Sequence, residues 1–231
     1  MTEAVTEKMT RFLKKNMTNP YPEFASEEAV IGENVSFYPG VIIEGKCIIE
    51  SGAIIGPNSH LINTTVKQNA RIRQSVAEDA VIGEESEVGP FAYLRPGTVI
   101  GKKCRVGNFV EIKNSILGDE TKMAHLAYIG DADVGKGVNF ACGAITCNYD
   151  GNKKHRTVIE DGAFIGSNVN LIAPITIEEN AFIAAGSTVS KNVNKNTLAV
   201  TRAKLVEKSN YRKNANEKTK SDASKAGTDS K

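Results

Sequence analysis

Two cationic side chains lie 18 residues apart in the middle of this 231-residue chain. Arg95 follows Leu94, and Lys113 follows Ile112. Arginine can bind a phosphate or carboxylate through two parallel hydrogen bonds, and lysine supplies a compact positive charge. Stacked together, two such cations repel unless an anion joins them. The pair is therefore a candidate anion site, and a surface pair balanced by Glu111 is the alternative.

A histidine follows the second cation at short range. His125 lies 12 residues after Lys113. A neutral imidazole near physiological pH can accept a proton from a weak nucleophile, so His125 is a candidate general base. The alternative is a structural histidine. His60, in an early repeat, and His155, in a polar stretch, are weaker candidates.

Neutral hydrogen-bonding side chains gather around the same segment. They are Tyr128, Asn139, Asn148 and Tyr149. Each alone would be explained as a turn cap, but their clustering favours a polar site. The four cysteines show no C-x-x-C spacing, so neither zinc nor a redox pair is expected.

A six-residue period in bulky apolar side chains positions this segment. The period runs through residues 31–61, 76–112 and 159–189. Neither an α-helix nor an alternating strand has this period, which indicates a repeat of short strands and corners, and hence an all-β parallel β-helix. We expect a deviation from Asn63 to Arg73, and a loop thrown out of the wall at about residues 147–157.

The remaining composition limits the class of protein. The net charge is only +2, so it gives no argument for a nucleic-acid or membrane partner. No apolar run approaches a membrane span, and the first residues lack the apolar core of a secretory signal, so a cytoplasmic protein is expected. We expect a helix and lead-in over 1–26, the β-helix over 27–202, and a polar, lysine-rich, disordered tail over 203–231.

Five motifs, in order, resemble one family. LRPG, VGNFVEIK, AHLAYIGD, ITCNYDG and FIGSNVNLIAPI are similar to the acetyltransferase half of bacterial GlmU, a bifunctional uridyltransferase and acetyltransferase of the hexapeptide-repeat transferases. The resemblance covers roughly residues 9–205. It implies a left-handed prism with three hexads per turn, and homotrimers with sites between adjacent prisms.

The resemblance also implies a reaction. The acetyl group of acetyl-CoA would pass to the 2-amino group of glucosamine 1-phosphate, and the product would serve UDP-N-acetylglucosamine synthesis for the cell wall. The general base would be His125. Acceptor-binding positions would be Arg95, Lys113, Tyr128, Asn139 and Lys154. Positions on the coenzyme A side would be Cys142, Asn148, Tyr149, Ser167, Ala185 and Arg202. No metal is implied.

Some features depart from the family pattern. Ala124 and Ala127 flank the histidine where glycine and threonine are usual, and Cys142 replaces a smaller residue, which narrows the implied donor site. The family's nucleotide-binding domain is not seen in this sequence, so a separate uridylyltransferase is a candidate partner.

Three other functions compete with this one. One is a hexapeptide acyltransferase acting on another amine or hydroxyl, and another is a non-catalytic trimeric scaffold. The third is a metal hydratase on the same fold, which would need three histidines across an interface.

Overall fold

The structure, a computed structural model, describes residues 24–211. The chain divides into two units, residues 1–201 and 202–231. The first unit is an all-β, left-handed parallel β-helix of about ten turns, in which the chain visits three walls in a fixed order. The fold class predicted from the six-residue period is confirmed.

The 27 strands, numbered in chain order, are short. Wall 1 contains β1 (Phe24–Ala25), β4 (Ile42–Glu44), β7 (His60–Ile62), β10 (Val76–Glu78), β13 (Tyr93–Leu94), β20 (Ile145–Cys147), β23 (Asn170–Ile172) and β26 (Thr188–Val189). Wall 2 contains β2 (Val30–Ile31), β5 (Ile48–Ile49), β8 (Thr65–Val66), β11 (Val81–Ile82), β14 (Val99–Ile100), β16 (Ile116–Leu117), β18 (Ala132–Val134), β21 (Thr157–Ile159) and β24 (Ile175–Ile177). Wall 3 contains β3 (Ser36–Phe37), β6 (Ile54–Ile55), β9 (Arg71–Ile72), β12 (Glu87–Val88), β19 (Asn139–Phe140), β22 (Phe164–Ile165), β25 (Phe182–Ile183) and β27 (Leu198–Ala199).

Two longer strands turn the corner between walls. β15 (Arg105–Lys113) and β17 (Lys122–Gly130) begin in wall 3 and continue into wall 1. They pair in parallel along nearly their whole length. This continuous stretch underlies the segment that carries most of the predicted site residues.

The core is one stack of inward side chains. Its fully buried members include Phe37, Ile43, Ile49, Ile55, Leu61, Ile72, Ile82, Leu94, Ile100, Ile112, Leu117 and Met123. Each rung donates backbone hydrogen bonds to the next, as from the Arg95 N–H to the Ile112 carbonyl at 2.8 Å. Corners need left-handed backbone, which asparagine adopts more readily than branched residues, as at Asn58 with φ 53°.

The deviation expected from Asn63 to Arg73 is wrong. Val66 and Ile72 are fully buried there, so the stack continues. Five-residue steps replace six-residue ones in this region, and they shift the inward position by one residue. Ala77 therefore points inward, while Val76, expected to be an anchor, is 36% exposed.

The ends of the chain lie partly outside the described residues. The predicted N-terminal helix falls on residues that the structure does not describe, and the end of the lead-in forms β1. In the second unit, residues 202–211 are exposed and contain no strand, and the rest of the predicted tail is not described. No helix in the described residues is long and apolar enough to cross a membrane.

Candidate active site

Arg95 and Lys113 lie side by side on wall 1. β13 pairs with β15 so that Leu94 is opposite Ile112, and the next residue of each strand is the cation. The 18-residue spacing thus corresponds to one turn, as predicted. Arg95 Nη1 lies 2.8 Å from Glu111 Oε1, so one of the two cations has the counter-ion that the alternative interpretation proposed.

A second lysine joins this pair. The side-chain contact with Lys154 is the main cause that lowers the pKa of Lys113, burial adds to the effect, and Asp131 opposes it. Among the described residues, no ion pair within 4.0 Å involves Lys113 or Lys154. We call Arg95, Lys113 and Lys154 the cation cluster, and its two lysines lack a carboxylate at contact distance.

A polar network lies beneath the cation cluster. Asn148 Nδ2 donates to Asp131 Oδ2 at 2.5 Å and lies 3.5 Å from Tyr128 Oη. Asn114 Nδ2 donates to Asp131 Oδ1 at 2.6 Å. A Cβ on Gly130 would lie 2.4 Å from Tyr128 Oη, so only glycine leaves room for this arrangement.

The predicted loop is a small hairpin between β20 and β21. An antiparallel bridge joins Tyr149 to Lys154, and His155 donates its backbone N–H to the Asn148 carbonyl. Asp150 accepts backbone N–H bonds inside the turn and contacts His155 Nε2 at 2.6 Å; the backbone bonds first, and then His155, hold the pKa of Asp150 far below its ordinary value. These contacts fix the turn that presents Lys154.

The corner between walls 3 and 1 aligns a second group of predicted residues on consecutive rungs. This corner column consists of His125, Cys142, Ser167 and Ala185. Its alignment follows from backbone hydrogen bonds between neighbouring corners, from Gly143 to Leu126, from Asn168 to Cys142 and from Gly186 to Ser167. At one rung per 4.8 Å, the column is roughly 14 Å long. Such a groove suits an extended ligand that ends at His125.

His125 has no partner of its own. Its side chain is exposed, β17 pairs it with Asn108 in β15, and no hydrogen bond or ion pair is formed by its ring among residues 24–211. A base that acts on a substrate usually has its ring oriented by a second group. Within one chain, that group is missing.

The other predicted residues fall outside both groups. Asn139 lies on wall 3 opposite Lys122. Tyr149 is exposed, and its hydroxyl donates to the Gly151 carbonyl within the hairpin. Arg202 belongs to the second unit of the chain. Asn148, expected on the coenzyme side, instead has its side chain in the network beneath the cation cluster.

An apolar ridge runs along the corner beside His125. Phe91, Phe109 and Leu126 are each more than half exposed and have φ values of 58°, 55° and 50°. The two phenyl rings stack with centroids 5.5 Å apart. Large apolar residues rarely take left-handed backbone on a solvated surface. We call these three residues the apolar ridge.

The largest groove lies elsewhere. It has a volume of about 570 Å³, lies on wall 2 and includes Asp133, Glu160 and Asp161, but none of the predicted site residues. Its acidic groups already accept hydrogen bonds, as Asp161 does from the Lys136 N–H. No group of three or more histidine, cysteine or acidic residues suited to a metal ion occurs in the described part of the chain.

Sequence reasoning missed Asp131 and Asn114. Both occupy a corner where asparagine, aspartate or glycine is needed for left-handed backbone, so their identity was explained by conformation alone. The available signal was the position of each residue directly after a site strand, since Asn114 follows Lys113 and Asp131 follows Gly130.

The fold and the repeat define the class of protein. The family model "Bacterial transferase hexapeptide (six repeats)" matches residues 28–63, 79–114 and 156–191. These ranges lie on either side of the hairpin and cover the regular part of the prism. The chain is a hexapeptide-repeat protein.

Within this class, the chain belongs with the C-terminal, acetyltransferase half of GlmU. "Bifunctional protein GlmU" of Carboxydothermus hydrogenoformans is 50% identical over 193 residues, which are 84% of this chain and 43% of that protein. The Exiguobacterium sp. protein of the same name is 47% identical over 215 residues, 91% of this chain and 48% of its own length. The chain therefore spans less than half the length of these relatives.

Solved structures share the fold at greater distance. "UDP-N-acetylglucosamine acyltransferase" of Arabidopsis aligns with 77% of this chain and 69% of its own, at 18% identity and a TM-score of 0.49. This similarity is too distant to bear on the reaction.

Proposed function

We propose that this chain transfers the acetyl group of acetyl-CoA to the 2-amino group of glucosamine 1-phosphate. The observation that carries the proposal is the cation cluster, in which two lysines and an arginine converge without enough carboxylates. A phosphate carries up to two negative charges and several acceptor oxygens, so a phosphorylated sugar fits this cluster better than serine or an unphosphorylated amine. The product, N-acetylglucosamine 1-phosphate, would supply UDP-N-acetylglucosamine synthesis in the cytoplasm.

The proposed chemistry is direct transfer. His125 accepts a proton from the acceptor's amino group, the nitrogen attacks the thioester carbonyl, and the C–S bond breaks to release coenzyme A as its thiol. The backbone N–H of Cys142, between the engaged N–H groups of Ala141 and Gly143, is the donor we assign to the tetrahedral oxyanion. A deprotonated amine attacks a thioester readily, so no covalent acyl-enzyme is needed.

The corner column would hold the donor. Cys142, Ser167 and Ala185 lie on successive rungs beyond His125, so an extended coenzyme chain lying along them ends with its thioester beside the base. The sulfur of Cys142 occupies part of this path, and we expect it to narrow the groove rather than act as a nucleophile.

A second copy of the chain would complete each site. His125 lacks an orienting partner in its own chain, and the apolar ridge beside it is exposed. Burial of the ridge against another prism would remove apolar surface from water and bring a second wall up to His125. We propose the cyclic trimer that the family resemblance implies, with each site between two prisms.

A thiol-release assay tests the proposed reaction. The purified chain is incubated with acetyl-CoA and one of three acceptors: glucosamine 1-phosphate, glucosamine 6-phosphate or serine. We expect rapid release with glucosamine 1-phosphate only. Preference for another acceptor would favour a different acyltransferase, and no release or acetyl-CoA binding would favour the scaffold.

Replacing Arg95 with alanine should mainly raise KM for glucosamine 1-phosphate. A hydrogen bond to a charged group contributes about 1.5–3 kcal/mol, which corresponds to roughly ten- to hundredfold in KM. KM for acetyl-CoA should change little. Arg71→Ala, an exposed arginine on wall 3, is the control. An unchanged sugar KM would remove Arg95 from the acceptor site.

Acceptor binding should weaken with rising pH earlier than an ordinary lysine would allow. The neighbouring Lys154 and burial lower the pKa of Lys113, and a phosphate binds the charged form of lysine. As pH rises through this lowered pKa, Lys113 loses its charge and the Kd for glucosamine 1-phosphate increases. Free lysine titrates near pH 10.4, so the increase should begin below that value.

Calorimetric titrations from neutral pH upward would measure this effect. Lys113→Arg is the matched control because a guanidinium stays charged over the whole range. Titration of the ligand itself affects both proteins equally. Identical pH profiles for the two proteins would contradict a role for Lys113 in binding the phosphate.

A further inference from the structure

Asp131 is a buried carboxylate at a corner of the prism. Its residue is 5% exposed, and its two oxygens accept from Asn114 Nδ2 at 2.6 Å and from Asn148 Nδ2 at 2.5 Å. Burial raises its pKa, but the two amide hydrogen bonds and the charges of the nearby lysines outweigh burial and lower the pKa overall. The group is therefore an anion at neutral pH.

The backbone alone does not explain this residue. Asp79 occupies the same corner three rungs earlier, with φ 44° against 51° for Asp131. Both donate a backbone N–H to the preceding rung, to Ile62 and to Lys113. Asp79, however, is exposed and its carboxylate has no hydrogen-bond partner among the described residues. A corner needs only left-handed backbone, so the buried carboxylate of Asp131 requires another reason.

The two amides held by Asp131 belong to the two lysine-bearing segments. Asn114 directly follows Lys113 at the end of β15. Asn148 is the first residue of the hairpin, and its carbonyl accepts the N–H of His155, next to Lys154. One carboxylate therefore ties the base of the hairpin to the rung that carries Lys113.

We propose that Asp131 is a positioning residue of the acceptor site, which holds Lys154 beside Lys113 by clamping the side chains of Asn114 and Asn148. Two ammonium groups repel each other, so without the clamp the exposed hairpin would move Lys154 away. The negative charge of Asp131 also offsets part of this repulsion. The identity of the anion, the phosphate of glucosamine 1-phosphate, rests on the proposed function.

Asp131→Asn is the sharpest variant. Asparagine keeps the shape of the side chain and is at ease in left-handed backbone, so the corner should persist. Its NH₂ group, however, must face one of two amide donors, and Asn148 must turn away. Asp79→Asn makes the same change at the same corner without the clamp and is the matched control.

Two measurements decide the proposal. We expect Asp131→Asn to raise the Kd for glucosamine 1-phosphate at least about tenfold, the loss of one charge-assisted contact, and to leave the Kd for acetyl-CoA within about twofold. Hydrogen exchange of backbone amides 148–156 should become faster. The double variant Asp131→Asn with Asn148→Asp restores an N–H···O pair with donor and acceptor exchanged, and should recover hairpin protection.

Three results would overturn the proposal. One is an unchanged sugar-phosphate Kd in Asp131→Asn. Another is a loss of both affinities together with a lower Tm, because that describes a general structural role. The third is unchanged exchange of the hairpin, which decides the clamp even if the unmodified protein does not bind glucosamine 1-phosphate. That last failure would contradict the proposed function alone.

Discussion

His125→Ala should lower kcat by roughly 10²–10⁴-fold, the usual contribution of general acid–base catalysis. Glucosamine 1-phosphate carries its amine largely protonated near neutral pH, and a protonated amine has no lone pair with which to attack. Without an imidazole at the end of the corner column, only water is left to remove the proton. KM for either substrate should change little, because His125 contacts neither the cation cluster nor the coenzyme positions.

Steady-state kinetics of the purified variant would measure this loss. His60→Ala is the control, since His60 lies on wall 1 in an early rung and its ring contacts only Glu44, at 3.5 Å. The exposed position of His125 makes a folding defect unexpected, and an unchanged Tm would document this. Full activity of His125→Ala would refute the mechanism, while equal losses in both variants would indicate a general effect of removing a histidine.

The sequence predicted the prism well because each rung repeats the same physical requirement. An inward apolar residue, a small residue two positions before it and a left-handed corner recur, and all the predicted anchors except Val76 are buried. The error at Val76 has a simple cause. A five-residue step preserves the wall but moves the inward position by one, and both Val76 and Ala77 are apolar.

The same count predicted part of the site. Arg95 and Lys113 are one turn apart, so their spacing alone placed them together. The corner column was beyond this reasoning, because His125 and Cys142 are 17 residues apart while Cys142 and Ser167 are 25 apart. The hairpin adds residues between walls without adding a rung, and its length cannot be separated from the repeat without the strand register.

Polar contacts between loops were not predictable at all. The clamp at Asp131 depends on where the side chain of Asn148 points after the hairpin leaves the wall. Sequence spacing fixes the rung of each residue, but the direction of a side chain at a corner depends on backbone angles that the sequence does not reveal.

The second large effect should appear when two inactive variants are mixed. His125→Ala lacks the base, and the double variant Arg95→Ala with Lys113→Ala lacks two members of the cation cluster. If each site combines the His125 corner of one prism with the cation cluster of the next, a mixed trimer regains some complete sites. For random assembly in a closed ring, about a quarter of the sites have both parts intact.

Co-expression of the two variants, or their joint refolding at equal amounts, would test this arrangement at a sugar concentration well below the KM of the double variant. We expect activity to rise from the background of either variant to about a quarter of the unmodified protein. Mixing without subunit exchange is the control and should restore nothing. If both groups act within a single prism, every chain in the mixture carries a defective site, and activity stays at background however the copies assemble. The experiment therefore separates a shared site from a self-contained one without reference to the oligomeric state, and it asks directly whether the unpartnered His125 acts on an acceptor held by a second copy.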